Sequence, residues 1–434
     1  MQKRTPRRVI ISFSGDTLTH FGGIYLLQSF FKRLNLRRQL HRYLPFHQRN
    51  NRYTVAEEIL ALIYPISLGL GRIETSHLLK HNGVFQYLTG LPTYPNPTTL
   101  RRFLLRMAPL TLPKLRNLHD RLLRSMIPRP SPPTKVIFDL DSTVLILYGR
   151  QEMARIGYNP QKWGRPSYHP LLCFNGITKD FWHGELRPGD THTATGTVEL
   201  LKAVFAKLPP SVKSVIIRAD KGFYDHETIE YLESNKALFV IVAKLTAPVK
   251  RTISTLSYQV HCSGLETSEF MYQPTKWKKE YRFVVIRRLI PEDPTEQLTL
   301  FSMGKYSYQV IVTNMKLIPL HIWGFYNGRA AVELIIKELK GDYPLGKIPT
   351  KHFAANEAYF HTLLFSYNLI NWFKRLCLPT EFHNMTLKTL RARLLLIPGE
   401  LIRTDNRPTL KLPTNFLYKE AFGHAMKSIE KLKF

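Results

Sequence analysis

Cysteine is scarce. Cys173, Cys262 and Cys377 are the three in 434 residues, far apart and without paired or metal-like spacing. That argues against a disulfide scaffold and a zinc module and fits a reducing cytosol. Long apolar runs are missing as well. The longest, from Ile59 to Leu70, is interrupted by Pro65 and too short to span a bilayer. The run Val9–Phe13, after the basic Met1–Arg8, is too short for a signal peptide, so neither a membrane partner nor export is expected. Acidic residues are few, 32 against 62 Lys plus Arg, which leaves a net charge of +30. An excess spread over the whole length predicts a polyanionic partner, with nucleic acid first. A basic ribosome-associated or membrane-surface protein shares that charge but does not account for the carboxylates described below. No phosphate-cradling glycine motif and no arrangement for a Ser or Cys nucleophile is present, so nucleotide hydrolysis and covalent catalysis are not expected. Internal repeats and low-complexity tracts are also absent.

What remains is globular: 44% hydrophobic and 12% aromatic residues over a length sufficient for two or three domains. Residues 1–130 read as a mostly helical region. Within it a Pro-punctuated turn, Leu91–Pro97, precedes a helix start at Asn96-Pro97-Thr98 that would carry Arg101, Arg102 and Arg106. Two readings fit this segment: the second helix of a helix-turn-helix DNA reader, or a basic surface helix. Pro128–Pro133 is a linker. From 134 to 245 the pattern is three strands, helix, strand, helix, strand, a mixed α/β order in which the helix-linked strands are parallel. Residues 246–320 read as a β-rich subdomain inserted into this core. Residues 321–375 return to helices that complete the core, and 376–434 form a basic helical C-terminal region.

Carboxylates mark three elements of this core. Asp139 and Asp141 are two apart on the first strand, Lys135–Thr143, and so point to one face. Asp220 ends another strand, where open α/β sheets place ligands. Farther on, Tyr326, Arg329, Glu333 and Lys340 succeed one another at intervals of three, four and seven residues. On one helix they would lie within about 60° of each other, opposite Val332, Ile335, Ile336 and Leu339. Taken alone, that stripe is either a solvated face with Glu–Lys pairing or a site for phosphate chemistry. Asp141, Asp220 and Glu333, arriving from separate elements, match the need of hard divalent cations for several oxygen ligands, and a pair of such ions can cleave a phosphodiester. His169, His183 and His192 cluster in sequence but lack ligand spacing, which favours hydrogen-bonding or packing roles.

These residues carry a family resemblance. The Tyr-x2-Arg-x3-Glu-x6-Lys spacing at Tyr326, Arg329, Glu333 and Lys340 resembles the signature of bacterial insertion-sequence transposases of the DDE superfamily. Asp141-Ser-Thr143 is similar to that family's first-aspartate motif, and Arg218-Ala-Asp220-Lys-Gly-Phe223 to its second. Gly149–Ala154, Gly157–Pro160 and Tyr168–Pro170 are similar to the subgroup called transposase DDE domain group 1. The resemblance implies an RNase H-like core with a β-rich insertion, for which the 113 positions between Asp220 and Glu333 leave room. It also implies magnesium at a two-metal site, with manganese able to substitute, held by Asp141, Asp220 and Glu333, with Asp139 as a possible auxiliary ligand. Tyr326, Arg329 and Lys340 would then orient or neutralise DNA phosphates.

Cut-and-paste transposition is the implied activity: cleavage at terminal inverted repeats and strand transfer into target double-stranded DNA. A homodimer on paired ends and a bacterial cytoplasmic, nucleoid-associated location go with it. Some relatives pass through a DNA hairpin with a flipped base stacked on an aromatic residue. Trp277, in Lys276-Trp-Lys-Lys279, suits that task or, alternatively, packs the subdomain's own surface. Two other functions stay open: a structure-selective nuclease with the same core, and a domesticated DNA-binding protein without catalysis.

Overall fold

A computed structural model describes residues 15–44, 52–127, 131–157, 159, 162–262, 264–290, 301–303 and 305–433. The segment Met1–Phe13, Pro128–Pro130 of the linker, and Tyr158 and Pro160 of the motif Gly157–Pro160 lie outside the described residues. The chain divides into two compact units, residues 104–371 and residues 1–103 with 372–434.

The larger unit is built on one mixed sheet, with ten strands among the described residues. They are β1 (Lys135–Ser142), β2 (Leu171–Asn175), β3 (Phe181–Glu185), β4 (Ser214–Ala219) and β5 (Leu238–Val242), followed by β6 (Gln259–Cys262), β7 (Leu265–Tyr272), β8 (Tyr281–Leu289), β9 (Phe301–Met303) and β10 (Tyr306–Thr313). The order across the sheet is β6-β7-β8-β10-β5-β4-β1-β2-β3, with β9 on β10. Strands β1, β4 and β5 are mutually parallel; β2 and β3 follow β1 as an antiparallel meander. The β-rich segment does not form a sheet of its own. Its strand β10 pairs with β5 antiparallel, so the segment extends the edge of the core sheet.

Helices α1 (Thr197–Phe205) and α2 (His226–Ser234) make the crossovers β3–β4 and β4–β5, as parallel pairing requires. Asp225 caps α2 by accepting a hydrogen bond from the Thr228 amide. Alternation along β1 sends Phe138 towards Trp182, whose Nε1 donates to the carbonyl of Val204 in α1. Ile137 faces the other way, against a buried cluster of Ile216, Val240, Val284, Ile311 and Ile322. Two helices cover that second face, α3 (Pro319–Asn327) and α4 (Ala330–Gly341).

The smaller unit is largely helical, with Ile24–Arg33, Leu36–Tyr43, Val55–Leu68 and Gly83–Thr89 among its helices. Thr54 and Glu57 form a reciprocal capping box at the start of Val55–Leu68, nearly all of which is buried. The helix that starts at Pro97 runs to Ser125 despite Pro109 and Pro113. The C-terminal region departs from the helical expectation. Gly399–Thr404 and Arg407–Lys411 form a hairpin, with Leu18–Thr19 added as a third strand. The cause is the two-residue loop Asp405-Asn406, both at positive φ, the loop geometry that matches strand twist and that Asp and Asn tolerate. No helix among the described residues is long and apolar enough to cross a membrane.

Candidate active site

The site grows out of the pairing between β1 and β4. These parallel strands place Asp139 directly beside Arg218. Residues two apart share a face, and Asp141 and Asp220 follow two positions further on, at the carboxyl ends of the same two strands and near enough that Asp220 raises the pKa of Asp141. The two pairs differ in chemistry. In the first, the Arg218 guanidinium donates from Nε to Asp139 Oδ1 at 2.6 Å and from Nη2 to Oδ2 at 2.9 Å. Both residues are buried, so Asp139, the possible auxiliary ligand, has both oxygens taken up by an internal counter-ion. The second pair is two carboxylates. Asp141 is raised to about 6: burial pushes it up most, Arg329 pulls it down, and Asp220 and Glu333 add to the rise. Asp220 accepts from the Gly222 amide at 2.8 Å, which fixes its side chain at the start of a short 3-10 turn.

Glu333 reaches this pair through Arg329. The buried Arg329 guanidinium lies 3.1 Å from Asp141 Oδ2 through Nη2, and donates from Nη1 to Glu333 Oε1 at 3.0 Å. It also donates to the Leu140 carbonyl at 3.3 Å, tying α4 to the end of β1. The Glu333 side chain is 65% exposed, so its pairing with Arg329 contributes little stability and leaves the carboxylate free to reorient. Tyr326 packs against the buried cluster under the sheet; burial raises its hydroxyl to about 12, and Arg329 and Asp220 are near enough to influence it. Lys340 lies along the adjoining cleft, with burial lowering its pKa against the pull of Asp141.

The stripe from Tyr326 to Lys340 is not one helix. It breaks between α3 and α4, where the Arg329 amide donates to Tyr326 and not to Phe325 four residues back. The Phe325 carbonyl is instead occupied by Arg218 Nη1, at 2.9 Å. Gly328 permits this, since a Cβ there would stand 2.3 Å from Arg218 Nη1. The expected apolar face holds: Val332, Ile335, Ile336 and Leu339 are all buried.

A cleft of about 770 Å³ opens beside the acidic pair, lined among others by Ser142, His169, Thr193, Asp220, Lys244 and Lys340. One wall is a hydrogen-bonded chain. His169 Nδ1 is 2.8 Å from the Thr191 carbonyl, so that nitrogen carries the proton and Nε2 accepts from Ser142 Oγ at 3.1 Å. Burial lowers the pKa of His169, consistent with a neutral ring. His183, half-way along β3, pairs with Lys207 and Glu185, so neither histidine is placed as a metal ligand. Lys221 and Lys244 were not singled out from sequence. Their signal is position alone: each lies two residues beyond the end of a strand, Lys221 after β4 and Lys244 after β5. Arg218 lay inside a recognised motif, yet its partner became visible only with the strand register.

Other expected site residues lie elsewhere. Trp277 is half-buried, its ring packed against Tyr224, His226 and Tyr281 at 5.1 to 5.4 Å. In the smaller unit Arg101 is ion-paired with Glu74, and Arg102 is exposed on the helix that begins at Pro97. Among the described residues no group of three or more His, Cys, Asp or Glu side chains is gathered as a metal site. Of the three expected carboxylates, Asp141 and Asp220 are close enough to interact, and Glu333 is joined to Asp141 through Arg329.

Comparison with known proteins bears on what such a cleft does. The family model described as transposase DDE domain group 1 matches residues 1–434. No protein of curated function matches the chain in sequence. Among solved structures, a cryo-EM structure of a piggyBac transposase synaptic complex with hairpin DNA is similar at a TM-score of 0.40 and 13% identity, over 86% of this chain and 85% of that one.

Proposed function

This chain belongs to the family described as transposase DDE domain group 1, and from that membership and the cleft geometry we propose that it is a DNA transposase. It would cut at the ends of its element and join the freed ends to target DNA. The observation that carries the reading is the pair of interacting carboxylates Asp141 and Asp220 at the carboxyl ends of two parallel strands, beside a cleft lined by Lys221, Lys244 and Lys340. The strand order β3-β2-β1-β4-β5, antiparallel on one side of β1 and parallel on the other, supports reading the core as RNase H-like, with β6 to β10 as the insertion.

The donor set fits a hard divalent cation, magnesium or manganese: carboxylate oxygens, with no cysteine or histidine ligand alongside. Asp141 and Asp220 would hold it, and Glu333 would complete the set. Bound there, the cation supplies Lewis-acid activation of a water or 3′-hydroxyl and of the scissile phosphate. The rest falls to the chain's own groups. Arg329 holds Asp141 and Glu333 in register, and Lys340 offers a point charge to a phosphate in the cleft. We assign Asp139 to structure, since Arg218 saturates it, and Trp277 to packing, since three rings enclose it.

Double-stranded DNA is the proposed partner, as terminal repeats and as target, with two copies of the chain acting on paired ends. The helix from Pro97, bearing Arg101 and Arg102, would take part in reading the ends. A hairpin-closed end and a cytoplasmic, nucleoid-associated setting complete the proposal. A nuclease with the same core would cut without joining. Precut ends offered with a supercoiled target separate the two: joined product is expected here, and cutting of flanked DNA without any joining from precut ends would favour the nuclease.

A further inference from the structure

Two of the tryptophans are put away, Trp182 and Trp372 being 4% and 0% exposed. Trp163 is 87% exposed and Tyr148 is 70% exposed, both around a small sheet formed by Leu145–Ile146, Arg155–Ile156 and Pro166–Tyr168. The same 24 residues, 145 to 168, carry four cations, Arg150, Arg155, Lys162 and Arg165, against one acid, Glu152. All four cations are exposed. Glu152 is engaged, accepting from the Phe353 amide at 2.9 Å and pairing with His352 at 2.8 Å. Lys162 donates to the Tyr148 hydroxyl at 3.1 Å, and the Lys162 and Arg165 charges lie 5.2 and 5.7 Å from its ring centre.

The support beneath these groups is firm. Tyr168 is fully buried, donates to the Glu152 carbonyl at 2.7 Å and meets Phe353 edge to face. The patch also adjoins the cleft. Val144, the residue before the first of these strands, lines it, as do Asp190 and Thr191. Gly157 sits so tightly on Gly189 and Asp190 that a Cβ would come within 2.0 Å of the Gly189 carbonyl.

We infer that Tyr148 and Trp163, with the surrounding arginines and lysine, form a stacking platform for unpaired DNA leaving the cleft. Duplex DNA hides its base faces in the stack, so exposed aromatic faces set among cations gain most from nucleotides that are out of the helix. The cations suit the accompanying phosphates. A second copy of the chain is a poor occupant, because it would bring the same positive excess to a positive patch. The inference rests on the transposase reading above and adds the strand state of the DNA.

The test uses the full chain and fluorescence anisotropy with a labelled single-stranded oligonucleotide and a blunt duplex of the same sequence. Trp163→Ala should weaken single-strand binding about ten-fold or more while duplex binding changes by less than about two-fold; Trp163→Phe should retain most of the affinity. Equal single-strand affinity of wild type and Trp163→Ala overturns the platform. So does an equal loss for both DNAs, or conversion of a dimer to a monomer in sedimentation with single-strand affinity unchanged, which would make the patch a self-association surface. If wild type neither binds nor cuts DNA, the transposase reading fails with it. If wild type binds and cuts while Trp163→Ala is unaltered on single strands, the platform alone fails.

Discussion

Arg218 clasps Asp139 with two hydrogen bonds across adjacent parallel strands and extends its remaining Nη to the Phe325 carbonyl. One buried guanidinium thereby fixes the end of α3, the break before Arg329 and the pairing with Asp139 in the sheet. Its surroundings are cut to its shape: a Cβ on Gly176 would stand 2.7 Å from Nη2, and one on Gly328 2.3 Å from Nη1. Asp139→Asn leaves that charge buried without its counter-ion and should destabilise the protein by about 3–5 kcal/mol in urea unfolding. Replacing both partners, Asp139→Leu with Arg218→Met, should cost less than Asp139→Asn alone. Gly328→Ala should cost about 1–3 kcal/mol by displacing the guanidinium. A loss below about 1 kcal/mol for Asp139→Asn would remove the structural role assigned to this pair.

The acidic pair should make itself felt in pH dependence. Asp141 has its folded pKa raised to about 6, chiefly by burial. Its stabilising contribution is therefore present below the ordinary carboxylate value and lost as pH rises through about 6. In the absence of divalent cation, stability from this group should fall between about pH 4 and pH 6. Magnesium should raise the melting temperature more at pH 7.5 than at pH 5, because proton and cation compete for the same oxygens. Asp141→Asn should remove most of that difference. A magnesium effect independent of pH would contradict the assignment.

Arg102 provides a separate test in the smaller unit. It is exposed, whereas its neighbour Arg101 is ion-paired with Glu74. Arg102→Ala should weaken duplex binding and lower the slope of log affinity against log salt by about one. Arg101→Ala should have the smaller effect. If neither alters affinity or slope, the basic-surface reading of this helix stands.

Much of the larger unit was legible because its strands are apolar runs bounded by turns. The strand expected at Lys135–Thr143 runs from Lys135 to Ser142, and the strand expected to end at Asp220 ends one residue earlier, at Ala219. Strand order in the β-rich segment was not legible, since periodicity shows that a strand exists but not which neighbour it pairs with. The break at Gly328 escaped for a similar reason: it depends on Arg218, more than a hundred residues earlier, taking a helix carbonyl. Asp139 and Asp141 were indistinguishable as two carboxylates on one face. Only the register, which sets an arginine beside Asp139, separates them. The hairpin at Gly399–Lys411 is hard to read in a basic tail, because its signal is the single turn Asp405-Asn406.

The central claim is that Asp141, Asp220 and Glu333 act together on a DNA phosphodiester, and Glu333→Gln probes it most directly. The side chain keeps its size and, being 65% exposed, contributes little to the fold. Binding to DNA that carries the element's ends should match wild type, while magnesium-dependent cleavage of the same DNA should fall by at least about a thousand-fold. Cleavage by Glu333→Gln within about ten-fold of wild type, with binding intact, would contradict the account.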